Sequence, residues 1–360
     1  MHILVTSDAV GGVWTYTEEL VTGLIGRGHR VTLVNFGPAP NVDRTTWMTG
    51  LSGFDYRPAK YKLEWMQDAA RDIEESTAFL EELVREVRPD LLHFNQYCYG
   101  ALRAAVPRIV VAHSDVISWW HSVHGFAPTS SPWITWYRNV VKNGLWAADA
   151  IVAPSKWMRD TLFDNYVAGL PTQVIYNGRS PELFAPDIEK EDFVLSVGRL
   201  WDKAKQVDLL VQQEQALNVC IVGSEVEPGV ETANTKMRFR GEQSQEDLYR
   251  LFSRAAIYAA TSRYEPFGLA PLEAALSRCA LVANDIPTFR ELWGDAAYYF
   301  PANDAEGLES AIRQLADDPS LRKHYGDTAY LRARENFTAE KMVDSYEHLY
   351  DMIASPVRTV

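Results

Sequence analysis

The chain has 360 residues, 35 Lys and Arg against 48 Asp and Glu, and a formal net charge of −13. That length is the size of two domains, and an acidic chain with no basic run is not built to bind nucleic acid. No stretch approaches ~18 uninterrupted apolar residues, so no transmembrane helix is expected.

The first residues, Met1-His2-Ile3-Leu4-Val5-Thr6, lack the basic start and cleavage site of a signal peptide and read as a strand. Asp8-Ala9-Val10-Gly11-Gly12-Val13 is a glycine turn, 16–27 an amphipathic helix and 30–36 a second strand. This βαβ start invites a dinucleotide-binding reading. Two features oppose it: the turn carries only Gly11-Gly12, and the second strand ends in Asn35-Phe36-Gly37 where an acid for the ribose is usual. Residues 38–66, with Pro38, Pro40 and Pro58, are expected to be irregular, and 68–88 to form a helix that Pro89 ends. Strands follow at 90–94 and 108–114. The latter delivers His113 at its carboxyl end, placed for ligand contact, although a hydrogen-bonded core histidine is the alternative. His93, His121 and His124 carry no such argument.

Residues 119–157 hold Trp119, Trp120, Trp133, Trp136, Trp146 and Trp157. Helix packing is the main expectation. An acceptor platform or a membrane-facing edge is open, though basic residues are only scattered there. A strand is expected at 148–155, the stretch 173–178 follows, and 179–192 reads as a polar, Pro-containing linker. The α/β alternation then restarts, with strands at 193–199, 219–223 and 237–241 and a helix at 246–254. Beyond a further strand at 280–285, helices are expected at 305–315, 319–335 and 339–353. Cys98, Cys220 and Cys279 are scattered beside apolar residues, which reads as buried free thiols in a reducing cytoplasm. No Cys/His cluster has metal-ligand spacing, so no metal and no resident cofactor is expected.

The stretch Tyr264-Glu265-Pro266-Phe267-Gly268-Leu269-Ala270-Pro271-Leu272-Glu273-Ala274 carries the most chemistry. The apolar run before it reads as a buried strand. Pro266 and Gly268 keep Glu265 in a loop, and Leu269, Leu272 and Leu276 start a helix. A helix N-terminus offers free N–H groups and partial positive charge to an anion. Glu273 stands about 7.5 Å further along the axis, at ~1.5 Å per residue. Carboxylates accept hydrogen bonds, so hydroxyl donors are wanted on both sides of that anion site. A nucleotide sugar has this layout.

The two acids, separated by seven residues, resemble the E-x7-E motif of retaining glycosyltransferases of family 4. The resemblance runs from the first strand to about residue 345. It implies an α/β GT-B fold: two Rossmann-like domains whose parallel sheets face a central cleft. Residues 1–178 would be the acceptor-side domain, with the helix at 339–360 crossing back to it, and 179–338 the donor-binding domain. By resemblance Glu273 binds the ribose, Glu265 the donor sugar, and the backbone of Phe267, Gly268 and Leu269 the phosphates. Gly11-Gly12 matches the family's glycine loop near the donor phosphates and acceptor, His113 its donor-sugar histidine, and the 173–178 stretch its "VI-x-NG". Arg199 and Lys205 resemble the two cations that neutralise the leaving diphosphate in place of a metal. Counting forward from Arg199 falls between Lys203 and Lys205; counting back from Val207-Asp208-Leu209-Leu210 selects Lys205.

The pattern departs from the family at Arg278 and Ala280, where Gly and Pro are common. The implied reaction is transfer of a hexose, from UDP-glucose ahead of GDP-mannose, to a saccharide or lipid-linked saccharide acceptor. The setting would be bacterial polysaccharide or glycolipid synthesis in the cytoplasm, with peripheral membrane association open. A non-catalytic nucleotide-sugar-binding paralogue and a nicotinamide-dependent sugar oxidoreductase or epimerase are the alternatives.

Overall fold

The computed structural model describes residues 1–167, 169–223 and 236–354. The chain divides into two compact units: Met1–Gly178 with the C-terminal segment from Ala339, and Arg179–Thr338. Each is built on one parallel sheet.

In the first unit the strands are β1 (His2–Asp8), β2 (Arg30–Phe36), β3 (Phe54–Ala59), β4 (Leu91–Phe94), β5 (Arg108–Val111), β6 (Ala150–Ala153) and β7 (Thr172–Val174). Their order is β3-β2-β1-β4-β5-β6-β7, with every pairing parallel. Strands buried on both faces must be apolar throughout, and Leu4, Val5, Leu33, Val34, Leu92, Val110 and Val152 are all fully buried. The second unit holds β8 (Glu191–Val197), β9 (Asn218–Val222), β10 (Met237–Phe239), β11 (Ala255–Ala260), β12 (Ala280–Asn284) and β13 (Tyr298–Phe300). Their order is β10-β9-β8-β11-β12-β13, again all parallel.

Strand order reverses between β1 and β4 in one sheet and between β8 and β11 in the other. At such a switch point successive connections leave in opposite directions, and the carboxyl ends of the two central strands open a crevice. That topology brings the loop after β8, with Arg199 and Lys205, beside the loop after β11, with Glu265. Close approach at that edge also fixes a glycine: a Cβ on Gly223, which has φ +151°, would lie 1.7 Å from the Gly198 carbonyl oxygen.

The C-terminal helix Ala339–Ala354 belongs to the first unit, where Met342, Val343, Tyr346, Leu349 and Tyr350 join one face of its core. It crosses the helix Gly12–Gly26 closely enough that a Cβ on Gly23 would come 2.6 Å from Val343. Arg27 pairs with Asp344 at 2.6 Å and His29 with Glu347 at 2.7 Å along the same seam.

Three expectations are corrected. Residues 38–66 contain a 3₁₀ helix, Val42–Met48, and the edge strand β3. The first helix begins at Gly12, so the glycine turn is shorter than it reads. The stretch 179–192 is no detached linker: Arg179 pairs backbone with Thr338 and Phe337, Phe184 is buried, and β8 starts at Glu191. Cys98, Cys220 and Cys279 are buried free thiols.

Candidate active site

The second unit assembles most of the candidate residues at its switch point. β11 is buried along its whole length and releases the chain into a loop stitched to the one after β8. Thr261 Oγ1 donates to the Lys205 carbonyl at 2.6 Å, and Arg263 N–H to that of Ala204 at 2.8 Å. From β12, the buried Asn284 donates to the Ser262 carbonyl at 3.2 Å and to Gln206 Oε1 at 3.3 Å. The loops therefore hold their charged side chains in a fixed relation.

Within that frame Lys205 Nζ meets Glu265 Oε2 at 2.5 Å, and Ser262 Oγ donates to the same oxygen at 3.0 Å. Both side chains are mostly shielded, at 19% and 13% exposure, where a charge pair is worth more than on the surface. Asp202 organises the turn before it: Oδ1 accepts from Ala204 N–H at 3.0 Å and Oδ2 from Arg199 at 2.8 Å. Arg199 also lies over the Trp201 ring, 5.4 Å from its centroid. Lys203 is exposed.

The helix Leu269–Leu276 starts at Gly268, which has φ 93° and ψ 86° and offers no side chain to cap the first turn. A Cβ there would sit 3.0 Å from Glu265 Cγ, so glycine is needed both for the backbone conformation and for the space. Pro271 stands in the first turn, where its missing N–H costs no helical bond. Phe267 is buried against Phe337, and Leu269 is half-buried at the helix start. One turn on, Glu273 Oε1 meets Arg179 Nε at 3.0 Å. Burial raises the Tyr258 hydroxyl pKa, and Glu265 and Glu273 push it further the same way.

Arg278 takes the left-handed conformation, φ 59°, at the site where the family commonly has glycine. Its guanidinium pairs with Asp187 at 2.9 Å and lies 4.4 Å from the Tyr330 ring centroid. Those contacts offset backbone strain. The cation that caps this helix end is Lys190, which donates to the carbonyls of Ser277 at 2.5 Å and Ser253 at 2.8 Å.

The first unit places Gly11, Gly12 and His113 at the carboxyl edge of its own sheet. Gly11, with φ 80°, precedes the helix that Gly12 opens. Arg44 Nη1 donates to the Ala9 carbonyl at 3.0 Å and Nη2 to that of Gly11 at 3.4 Å, bracing the turn. His113 follows β5, its Nε2 2.8 Å from Asn95 Oδ1 and its ring 4.5 Å from that of Tyr16. Burial lowers its pKa to about 3, so the ring is neutral in ordinary buffers. Nearby, burial raises the Glu64 pKa to about 7, although the carboxylate accepts from Tyr97 N–H at 2.9 Å and from the Cys98 thiol at 3.3 Å.

Sequence reading missed Arg179, Arg44 and Asn95. Nothing local marks the first two, whose partners are distant in the chain. Asn95 did carry a signal: it is a polar residue just past the carboxyl end of β4, the same edge of the sheet that singled out His113. Among the described residues no group of three His, Cys, Asp or Glu could hold a metal ion, and no helix is long and apolar enough to cross a membrane.

Comparison with known proteins agrees with this layout. The family model for "Glycosyltransferase Family 4" matches residues 10–183, and that for "Glycosyl transferases group 1" matches 181–332. The lipopolysaccharide core biosynthesis mannosyltransferase LpcC of Rhizobium leguminosarum bv. viciae is 35% identical over 115 residues, 31% of this chain and 33% of that protein. The O-antigen chain mannosyltransferase RfbU of Salmonella typhimurium is 25% identical over 53% of this chain and 58% of its own length. The chain thus spans under two thirds of either relative. A glycogen synthase of Mycobacterium tuberculosis is 23% identical over 95% of this chain and 91% of its own. Among solved structures, sucrose-phosphate synthase from Thermosynechococcus elongatus superposes with a TM-score of 0.78 at 17% identity, covering 98% of both chains. Anabaena HepE in complex with UDP-glucose does so at 0.75 and 16%, covering 98% of this chain and 100% of that one. With two adjoining family models running from residue 10 to residue 332 and two parallel sheets that each end in a crevice, this chain is a GT-B-fold protein related to the family 4 and group 1 glycosyltransferases.

Proposed function

We propose that the chain is a retaining hexosyltransferase that moves a sugar from a nucleoside diphosphate to a saccharide or lipid-linked saccharide acceptor. The observation that carries this reading is the Lys205–Glu265 pair at the side-chain-free start of the helix Leu269–Leu276, with Glu273 one turn further on. Acceptors of hydroxyl hydrogens thus flank donors suited to phosphate.

In the reaction the bond from the anomeric carbon to the diphosphate oxygen breaks as the acceptor oxygen bonds to that carbon from the same face. The acceptor proton passes to an oxygen of the departing diphosphate, so no protein base is required. Negative charge grows on the leaving group, and cations fixed in advance lower that barrier most. Arg199 and Lys205 fill this role. Lys205 exchanges its bond with Glu265 for one with phosphate, which releases Glu265 to the hydroxyls of the sugar. Glu273 takes the ribose, and the N–H groups following Phe267 take the phosphates. Gly11 and Gly12 let backbone approach the ligand, and His113 contacts a sugar hydroxyl.

UDP-glucose is the first donor to test. A mannosyl donor, GDP-mannose, is the second reading, favoured by the two mannosyltransferase relatives. Calorimetry with UDP and GDP tests the assignment of the acids. Glu273→Ala should weaken nucleoside-diphosphate binding about ten- to hundredfold, the cost of losing hydrogen bonds to a charged group. Glu265→Ala should leave that binding near the parent value and depress transfer. The reverse pattern overturns the assignment.

A further inference from the structure

The histidine at the end of β5 is held by a network that dictates where its proton sits. Asn95 Nδ2 lies 2.7 Å from the Thr6 carbonyl oxygen. A carbonyl only accepts, so the amide nitrogen must face it; the flipped amide would set two oxygens against each other. Asn95 Oδ1 then faces both His113 Nε2, at 2.8 Å, and His93 Nε2, at 3.3 Å. An amide oxygen also only accepts, so each ring must present N–H at Nε2. His93 completes the logic: its Nδ1 is left as an acceptor and meets the Tyr350 hydroxyl, a donor, at 2.6 Å. The Tyr16 hydroxyl lies 3.1 Å from His93 Nε2 and shares that proton.

We propose that Asn95 is a positioning residue that holds His113 as the Nε2–H tautomer, so that His113 Nδ1 accepts a hydrogen bond from a carbohydrate hydroxyl. The hydroxyl contact rests on the transferase reading above; the tautomer does not. His113 is half-buried, whereas His93, Tyr16 and Tyr350 are fully enclosed, so His113 is the end of the network that a ligand can reach. The groups that face the two rings are Tyr16 from the first helix, Tyr346 and Tyr350 from the C-terminal helix, and each other. Burial raises all three tyrosine pKa values, so none of these groups supplies a charge to protonate the histidines. His113 thus recognises a hydroxyl that donates, and an analogue with fluorine in its place is rejected.

The test is two-bond ¹H–¹⁵N correlation spectroscopy on the full chain labelled in histidine, with H93Q and H113Q assigning the signals. His113 should show a protonated Nε2 and a bare Nδ1, unchanged between about pH 5 and 8. A bare Nε2, or titration within that window, overturns the tautomer. N95A should let His113 populate both forms; an unchanged spectrum overturns the role of Asn95. Should N95A fail to fold, the parent spectrum still decides the tautomer, and N95D, which keeps an acceptor, should retain Nε2–H and make His113 titratable. Calorimetry reads the sugar contact: with His113 divided between two forms, N95A should lose about twofold in affinity for the nucleotide sugar, in proportion to the fraction that still carries the proton on Nε2, and nothing for the nucleoside diphosphate. Equal loss for both overturns the contact. Absence of any nucleotide-sugar binding by the parent protein is the failure of the transferase reading and leaves the spectroscopic result standing.

Discussion

Lys203 and Lys205 are chemically identical and two positions apart, yet the turn gives them different surroundings. Asp202 caps a short 3₁₀ turn, Lys203–Lys205, that leaves Lys203 exposed. Lys205 instead runs beside Gly198, where an added Cβ would lie 3.4 Å from its Cδ, and ends on Glu265. The role proposed for Lys205 makes a sharp prediction. Lys205→Ala should cut turnover by about two or more orders of magnitude, as loss of a preorganised donor to a transition-state charge does elsewhere. Lys203→Ala should stay within a few-fold of the parent, because a solvated lysine is screened from the reacting atoms. Steady-state rates with both variants decide the matter, and a larger loss in Lys203→Ala would refute it. Counting back from Val207 could select Lys205 because a helix start keeps its register while a loop takes up extra residues. Arg179 had no such ruler. It reads as the polar head of a linker, and only the fold shows it 1% exposed against Glu273.

At the level of elements, what the sequence showed depended on burial. β11, the turn at Gly268 and the following helix were legible because an apolar run, a glycine and a leucine period stand in a row. β3 was not, for a physical reason. It is an edge strand with only partial burial, so no apolar run marks it, and it contains Pro58, which a central strand would exclude. The turn at Gly268 is where a single methyl group would act directly on the candidate site. Gly268→Ala would force a left-handed backbone on a residue that resists it by roughly 1–2 kcal/mol. Its Cβ would also crowd Glu265 Cγ, 3.0 Å away, and displace the carboxylate from Lys205. The variant should melt lower and bind nucleoside diphosphate more weakly. Normal affinity at reduced stability would show that the turn serves folding alone.

At the scale of the whole molecule, two α/β repeats on either side of residue 178 were legible because strand and helix periods alternate twice along the chain. The strand orders, and hence the switch points, follow from pairings that no local pattern encodes. Neither does the chemistry buried under the first sheet, which has a consequence for stability. Burial, with His113 nearby, lowers the His93 pKa from the ordinary 6.5 to about 3, and burial alone does the same to His113. Unfolded chain therefore takes up protons first as pH falls below about 6.5, and folding loses stability down to about 3, by ~1.4 kcal/mol per pH unit for each group. Burial moves Glu64 the other way, from 4.5 to about 7. Its folded form keeps a proton that the unfolded chain has released, so stability falls as pH rises from about 4.5 to 7 and stays lower above that. Of these three groups two outweigh one, so their joint change on acidification from neutrality is a loss; Asp115, whose pKa burial also raises, acts with Glu64 against it. Full-chain calorimetry should show melting temperature falling from about pH 6.5 towards 4.5. His93→Gln should flatten that limb, because one of the two proton-binding sites is gone. Glu64→Gln should gain on the parent at pH 8 and lose this gain as pH falls below about 4.5, where the parent carboxyl becomes protonated in both states. A pH 6.5 to 4.5 limb with the same slope in parent and His93→Gln would mean that His93 is not held neutral in the fold.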